Sequence, residues 1–168
     1  MKKIAVLVED HYEDLELHYP YIRLKEAGFR VDLIGTEKGV EYKSKHGYPI
    51  ISDYASQQIN AGDYDAVVIP GGYSPDMMRR CKATVDFVRE MDAKGKIVAA
   101  ICHGPWMMAS ACKLKGKTVT SFFSIKDDLV NAGATYVDKE VVISDNLITS
   151  RMPQDLIAFS MAIIKALH

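Results

Sequence analysis

Cysteine is scarce in this chain. Cys81, Cys102 and Cys112 are the 3 in 168 residues, too few and too scattered for a disulfide scaffold or a CxxC metal site. That usage fits a reducing, cytoplasmic home. An excess of one charge is missing too: 21 Lys and Arg stand against 22 Asp and Glu, a net charge of −1. Neither nucleic acid nor an acidic membrane is expected as a partner. No apolar run approaches the ~18 residues that a membrane span needs. The start, "MKKIAVLVED", has a short apolar stretch that meets Glu9 and Asp10, unlike a signal peptide. There is no repeat, low-complexity tract or linker, and the glycine pair Gly71-Gly72 lacks the GxGxxG fingerprint of a dinucleotide site. What remains is 48% hydrophobic and 26% charged, ordinary for a globular protein, and one domain over residues 1–168 is expected.

The apolar runs give the fold class. "KIAVLVE" at 3–9, "FRVDLIG" at 29–35, "YDAVVIPGG" at 64–72 and "KIVAAIC" at 96–102 are continuous and rich in branched residues, as strands buried on both faces are. Between them, helical spacing predicts helices over about 13–27 and 83–95, closed by Gly28 and Gly95. A small hairpin is expected in "GVEYKSKHGYPIISDY", further strands in "KTVTS" and in "EVVISDNLITSR", which turns at Asp145-Asn146. Helices are expected at Pro105 to about Ala111, at 125–132 and over about 153–167. Strands alternating with helices predict an α/β three-layer sandwich, a mostly parallel sheet with helices on both faces. Ligands in such sheets sit beyond the carboxyl ends of the strands. Those ends here are Glu9-Asp10-His11, Gly71-Gly72 and Cys102-His103.

Cys102 closes the strand in "IVAAICHGPWMMASA" just before a helix. A sharp strand–turn–helix bend exposes a nucleophile, and a helix N-terminus lowers a thiol pKa. Gly104 leaves room for the bend, and Pro105 suits a first helical turn. A buried structural cysteine is the competing reading. His103 is a base or proton carrier only if the bend turns both side chains into one cleft. Glu13, Asp14 and Glu16 follow the first strand, and Asp76 follows the glycine pair. For Asp14 and Asp76 helix capping and dipole matching are the simpler roles. Gly71 and Gly72 let backbone N–H groups approach a substrate oxygen, or simply make a tight turn. A metal site of His11, His18 and Glu16 would need an early helix start and resembles no zinc spacing. Trp106 can wall the cleft, Arg151 can bind an anion or form a salt bridge, and "SIKDD" reads as a helix cap with its first turn.

"AICHGP", "IPGGYSPD", "YEDLELHYPYIRLKEAG" and "TSRMPQDL" together resemble the PfpI-type branch of the ThiJ/PfpI superfamily over nearly the whole chain. The resemblance implies a flavodoxin-like fold of the class I glutamine amidotransferase kind. It implies a cofactor-independent cysteine enzyme without a metal, acting on a small aldehyde such as methylglyoxal or on a peptide. The alternative in the same family is a redox-sensing or stress-protective protein whose cysteine is oxidised. Carried over by motif, Cys102 is the nucleophile, His103 its base, and Glu13 the protonated glutamate on the thiol. Gly72 and His103 supply the oxyanion N–H pair, beside Gly71. Asp76 stands where the family's peptidases have a glutamate that orients the histidine of a neighbouring subunit, so a homo-oligomer, a dimer or higher, is implied. Aspartate is one methylene shorter than that glutamate.

Overall fold

The four branched, continuous apolar runs become the centre of one sheet. The computed structural model describes residues 1–168. In chain order, β1 (Lys3–Leu7), α1 (Asp14–Glu26) and β2 (Arg30–Gly35) form a first strand–helix–strand unit with its two strands paired parallel. The excursion follows as β3 (Glu41–Lys43) and β4 (Pro49–Ile51), which pair antiparallel, then the short β5 (Tyr54–Ala55). Next come β6 (Ala66–Ile69), α2 (Ser74–Arg79), α3 (Lys82–Ala93), β7 (Ile97–Ile101) and α4 (Pro105–Ala111). The chain ends with β8 (Thr118–Val119), α5 (Lys126–Asn131), β9 (Thr135–Tyr136), β10 (Val141–Ser144), β11 (Leu147–Ser150) and α6 (Leu156–Leu167).

The sheet has 7 strands in the order β10-β11-β7-β6-β1-β2-β5. Every pairing in it is parallel except β10 with β11, the expected hairpin. Side chains alternate between the faces of a strand, and the two cores follow that alternation. Ala5, Leu7, Val67, Ile69, Val98 and Ala100 face α3 and α4 through Phe87, Val88, Met91, Met107 and Met108. Ile4, Val6, Val68, Ala99 and Ile101 face α1 and α6 through Leu17, Leu24, Phe159 and Ile163. Each fully buried Leu, Ile or Phe contributes roughly 1.5–3 kcal/mol relative to exposure, so both layers are held by the same strands that carry the site. No helix is long and apolar enough to cross a membrane.

Two details differ from the sequence reading. "KTVTS" does form a strand, β8, but it pairs with β9 in a separate 2-stranded sheet rather than entering the main one. The segment after the glycine pair, given no element of its own apart from the capping and dipole role expected of Asp76, opens a short helix, α2, with Pro75 and Asp76 in its first turn.

Candidate active site

β1, β6 and β7 end side by side, and their carboxyl ends bring the site together. Cys102 follows β7 with φ 62°, the left-handed region that a non-glycine residue enters only under local constraint. The bend is closed by Gly104, whose amide donates to the Ile101 carbonyl at 2.8 Å. A Cβ at Gly104 would stand 2.8 Å from that same oxygen. α4 then starts at Pro105. Cys102 is 8% exposed and borders a cavity of about 690 Å³, lined also by Glu13, Glu16, Lys45, His103 and Trp106.

The elbow does turn both side chains to the same place: His103 Nδ1 lies 3.3 Å from Cys102 Sγ. The ring is packed between Trp106 and Phe122, each with its centroid 5.2 Å away. The other ring nitrogen, Nε2, lies 3.1 Å from Ser124 Oγ. Ser124 therefore does not cap α5; it supports the imidazole. A hydroxyl can donate or accept, so it satisfies either tautomer and fixes neither. Burial, and then the charge of Lys45, hold His103 below its ordinary pKa, so it is neutral near pH 7.

The carboxyl that meets the thiol belongs to Glu16, not to Glu13. Glu13 is the N-cap of α1, and its Oε2 accepts from the Glu16 amide at 2.9 Å. One turn into the helix, Glu16 points inward, is 0% exposed, and accepts from the Gly71 amide at 2.8 Å. Burial, then the nearby Glu13 charge, raise its pKa to about 8. Its Oε1 has no hydrogen-bond partner. A buried charge with an unpartnered oxygen is costly, so Glu16 carries a proton at neutral pH.

The thiol itself is pushed up from its ordinary value, chiefly by burial and then by Glu16. This reverses the expectation from helix position: the backbone N–H groups of His103 and Gly72 do lower it, but they are outweighed. Of the other cysteines, burial raises Cys112, whereas Cys81 is lowered by hydrogen bonds from Thr84 and the start of α3 that outweigh its burial. A reactive Cys102 thiolate therefore depends on Glu16 keeping its proton, since a neutral carboxyl adds no opposing charge.

The glycine pair is tightly placed. Gly72 has φ 69°, and a Cβ there would meet the His11 carbonyl and come within 2.5 Å of the Glu13 nitrogen. A Cβ on Gly71 would come within 2.5 Å of Glu16 Oε2 and 2.9 Å of the His103 nitrogen. Asp76 is elsewhere in the chain: it sits on α2, with Arg80 Nε donating to its Oδ2 at 3.1 Å. Within one chain it does not orient His103. His11, His18 and Glu16 do not converge either. His18 Nε2 lies 3.1 Å from the Tyr12 hydroxyl, and no group of three metal-ligating side chains occurs. Arg151 is held by Asp155 at 2.9 Å and Asp138 at 2.8 Å, which settles it as an ion-pair residue.

The different duties of the two glutamates are separable. Glu13→Ala is expected to cost about 1 kcal/mol in urea denaturation, as loss of an N-cap does. Its effect on iodoacetamide alkylation of Cys102 should stay within about threefold, because its carboxyl is engaged at the start of α1 and not by the thiol. Glu16→Ala, assayed at pH 9 where Glu16 is ionised, should accelerate that alkylation by about tenfold or more, because one pKa unit is a tenfold change in thiolate. Equal effects of the two variants would return the contact to Glu13.

A cysteine on a strained strand-to-helix elbow, at the carboxyl edge of a doubly covered parallel sheet, defines a thiol-nucleophile protein of flavodoxin-like architecture. The chain belongs to the DJ-1/PfpI family, whose profile matches residues 2–166. It is 46% identical over 159 residues to the putative cysteine protease YraA of Bacillus subtilis, covering 95% of this chain and 94% of that one. It is 44% identical over 165 residues to the deglycase PfpI of Pyrococcus furiosus, covering 98% of this chain and 99% of the relative. Among solved structures, a two-domain protein of Anabaena variabilis with DJ-1/ThiJ/PfpI-like and ferritin-like domains superposes with a TM-score of 0.97 at 45% identity. That match covers 99% of this chain and 48% of the other. DJ-1beta of Drosophila melanogaster gives a TM-score of 0.91 at 34% identity, covering 99% and 90%. At such identity and coverage, relatives that carry enzyme names make the chain a PfpI-family enzyme.

The sequence reading offered Glu16 among the candidate carboxylates but gave the thiol contact to Glu13, and it did not place Lys45 or Ser124 in the site. Glu16 was readable from the spacing Glu13-x-x-Glu16 once the cap was assigned to the first of the pair. Lys45 arrives from a turn that carries no motif, and Ser124 from the single helical turn Phe123–Ile125, where "SIKDD" had suggested a cap.

Proposed function

We propose that the protein converts a small aldehyde such as methylglyoxal to a hydroxy acid through covalent attack by Cys102. The observation that carries this reading is the hydroxyl, rather than a carboxylate, at His103 Nε2. Expelling a peptide amine asks for an imidazole held in one tautomer by an acid. Isomerising an aldehyde expels no amine and asks for a thiolate and a proton carrier.

The thiol proton passes to His103 Nδ1, 3.3 Å away. The sulfur bonds to the aldehyde carbon, and the new alkoxide takes a proton. The N–H groups of Gly72 and His103, already directed at the sulfur, are suited to that oxygen. His103 removes the hydrogen on the attacked carbon to give an enediol, and reprotonation at the neighbouring carbon leaves a thioester. Water cleaves it, so methylglyoxal and water become lactate and a proton, one carbon oxidised and its neighbour reduced. Glu16, kept protonated by burial, holds the second proton at the sulfur.

Assembly belongs to the same reading. An Asp76 from a neighbouring subunit would have to displace Ser124 from Nε2 to complete a peptidase triad, with one methylene less reach than glutamate. The test gives one preparation methylglyoxal and a fluorogenic peptide, beside Cys102→Ala. Methylglyoxal turnover that falls on the order of a thousandfold in the variant is expected, as for loss of a covalent nucleophile. Cys102-dependent peptide cleavage without methylglyoxal turnover would reverse the assignment. Stoichiometric oxidation of Cys102 without turnover of either substrate would favour a protective, redox-sensing role, for which the Glu16 contact is equally suited.

A further inference from the structure

Lys45 is the only lysine or arginine on the wall of the thiol cavity, and the steps above give it no task. It is delivered from far along the chain, in the turn between β3 and β4, and the turn is fastened at several points. The Lys45 amide donates to the Tyr12 carbonyl at 2.9 Å, and the His11 amide donates to the Lys43 carbonyl at 2.8 Å. Ser44 Oγ donates to Asp14 Oδ1 at 2.6 Å, and His46 Nδ1 lies 2.8 Å from Asp14 Oδ2. Through these contacts the start of α1, which carries Glu13 and Glu16, holds the turn against the elbow.

The ammonium is less committed than its backbone. Its nearest carboxylate oxygen is Glu13 Oε1 at 3.9 Å, at the outer limit of an ion pair, while the other Glu13 oxygen caps the helix. The side chain is 46% exposed. Its charge is nevertheless felt inside the site, since it lowers the pKa of both Glu16 and His103. The remaining cavity groups that can carry charge are His11, Glu13, Glu16, Tyr73, Cys102 and His103, none of which is a lysine or arginine. The other conspicuous cation, Arg151, is taken up by Asp155 and Asp138.

We propose that Lys45 is the specificity-determining residue of the cavity, binding the carboxylate of the hydroxy-acid product and of carbonyl substrates that carry a carboxylate beside the attacked carbon. An ammonium is a compact charge that binds a carboxylate oxygen without demanding a planar fork, and a flexible stem lets it follow the oxygen as the product forms. Glu13 is its internal competitor: an incoming carboxylate replaces a loosely held one. The proposal rests on Cys102 being the attacking group, and its test avoids the aldehyde reaction, so each can fail without the other.

Iodoacetate and iodoacetamide have nearly the same shape and both need the thiolate, but only the first is an anion. The ratio of their alkylation rates at Cys102, read by mass spectrometry, therefore cancels changes in thiol pKa and access. Removing one nearby cation should lower the ratio roughly three- to tenfold in Lys45→Met, on the scale of a partly screened charge pair. Lys45→Arg keeps the charge and should keep the ratio within about twofold, and Glu13→Gln, which frees the ammonium, should raise it. Lactate should slow iodoacetamide labelling in the wild type and lose that effect in Lys45→Met. An unchanged ratio in Lys45→Met overturns the proposal, and so does a fall in Lys45→Arg equal to that in Lys45→Met. Should Lys45→Met fail to fold, a lower rather than higher ratio in Glu13→Gln overturns it independently.

Discussion

Gly72→Ala is expected to lower folding stability by about 3 kcal/mol or more and to take most of the activity with it. Two costs add at this position. A left-handed backbone costs an alanine roughly 1–2 kcal/mol, and Gly72 has φ 69°. The new Cβ would also strike backbone, not a yielding side chain: the His11 carbonyl, the Tyr12 carbonyl carbon at 2.8 Å and the Glu13 nitrogen at 2.5 Å. The glycine turn and the entry to α1 are laced together there, with the Tyr73 amide donating to the His11 carbonyl at 2.9 Å. Relieving the clash moves the Gly72 N–H away from the Cys102 sulfur and shifts the cap that places Glu16. Urea denaturation and methylglyoxal turnover, measured on the same sample, check both halves. A loss under about 1 kcal/mol, the size of an ordinary surface substitution, would show that the turn opens freely.

Glu16→Gln is expected to remove a pH dependence from folding. The Glu16 pKa is about 8 in the folded chain against an ordinary 4.5. Between those values the folded chain holds a proton that the unfolded chain has released. The stability tied to this group is therefore complete below pH 4.5 and is lost as pH rises toward 8. The slope reaches about 1.4 kcal/mol per pH unit while one proton separates the two states. Glutamine keeps the shape and an oxygen for the Gly71 amide, but does not titrate. Urea midpoints at pH 5.5, 6.5 and 7.5 for both proteins should converge at the acid end or favour the wild type there, with glutamine gaining as pH rises. Parallel curves would mean that Glu16 is already ionised in the folded chain.

The strands were legible because burial on both faces leaves a simple mark: "KIAVLVE" and "KIVAAIC" are apolar without alternation. The elbow was legible for a related reason. The run stops at Cys102-His103 and is followed at once by Gly104 and Pro105, residues that suit a bend and a helix start. Choosing between Glu13 and Glu16 was harder. Both lie in one turn of α1, and which of them points inward depends on a helix boundary that sequence fixes only to within a residue or two. Capping explains the outcome, since the residue that caps the helix is the one whose carboxyl stays at its end. For α2 only the start was legible, through the first-turn role of Asp76; its extent was not, because 6 residues give too little periodicity to see. Lys45 reaches the cavity, and Ser124 the His103 ring, from 57 and 22 positions away from Cys102 in the numbering, through turns whose aim is set by tertiary contacts.

The borders of the main sheet bear on how copies of this chain meet one another at high concentration. One border is β5, just 2 residues long, which leaves an incoming strand almost nothing to zip along. The other is β10, the single antiparallel member, ending at the Lys117–Asp145 ion pair and with the Thr118 amide donating to Ser144 Oγ at 3.2 Å. A brief border on one side and a charged, partly covered one on the other are the devices by which sheets avoid open-ended growth. The long, sticky strands, those with the composition that feeds fibrils, are all interior. Any assembly of native copies is thereby steered to helix and loop surfaces, where it can close on itself, and away from ribbon-like extension of the sheet.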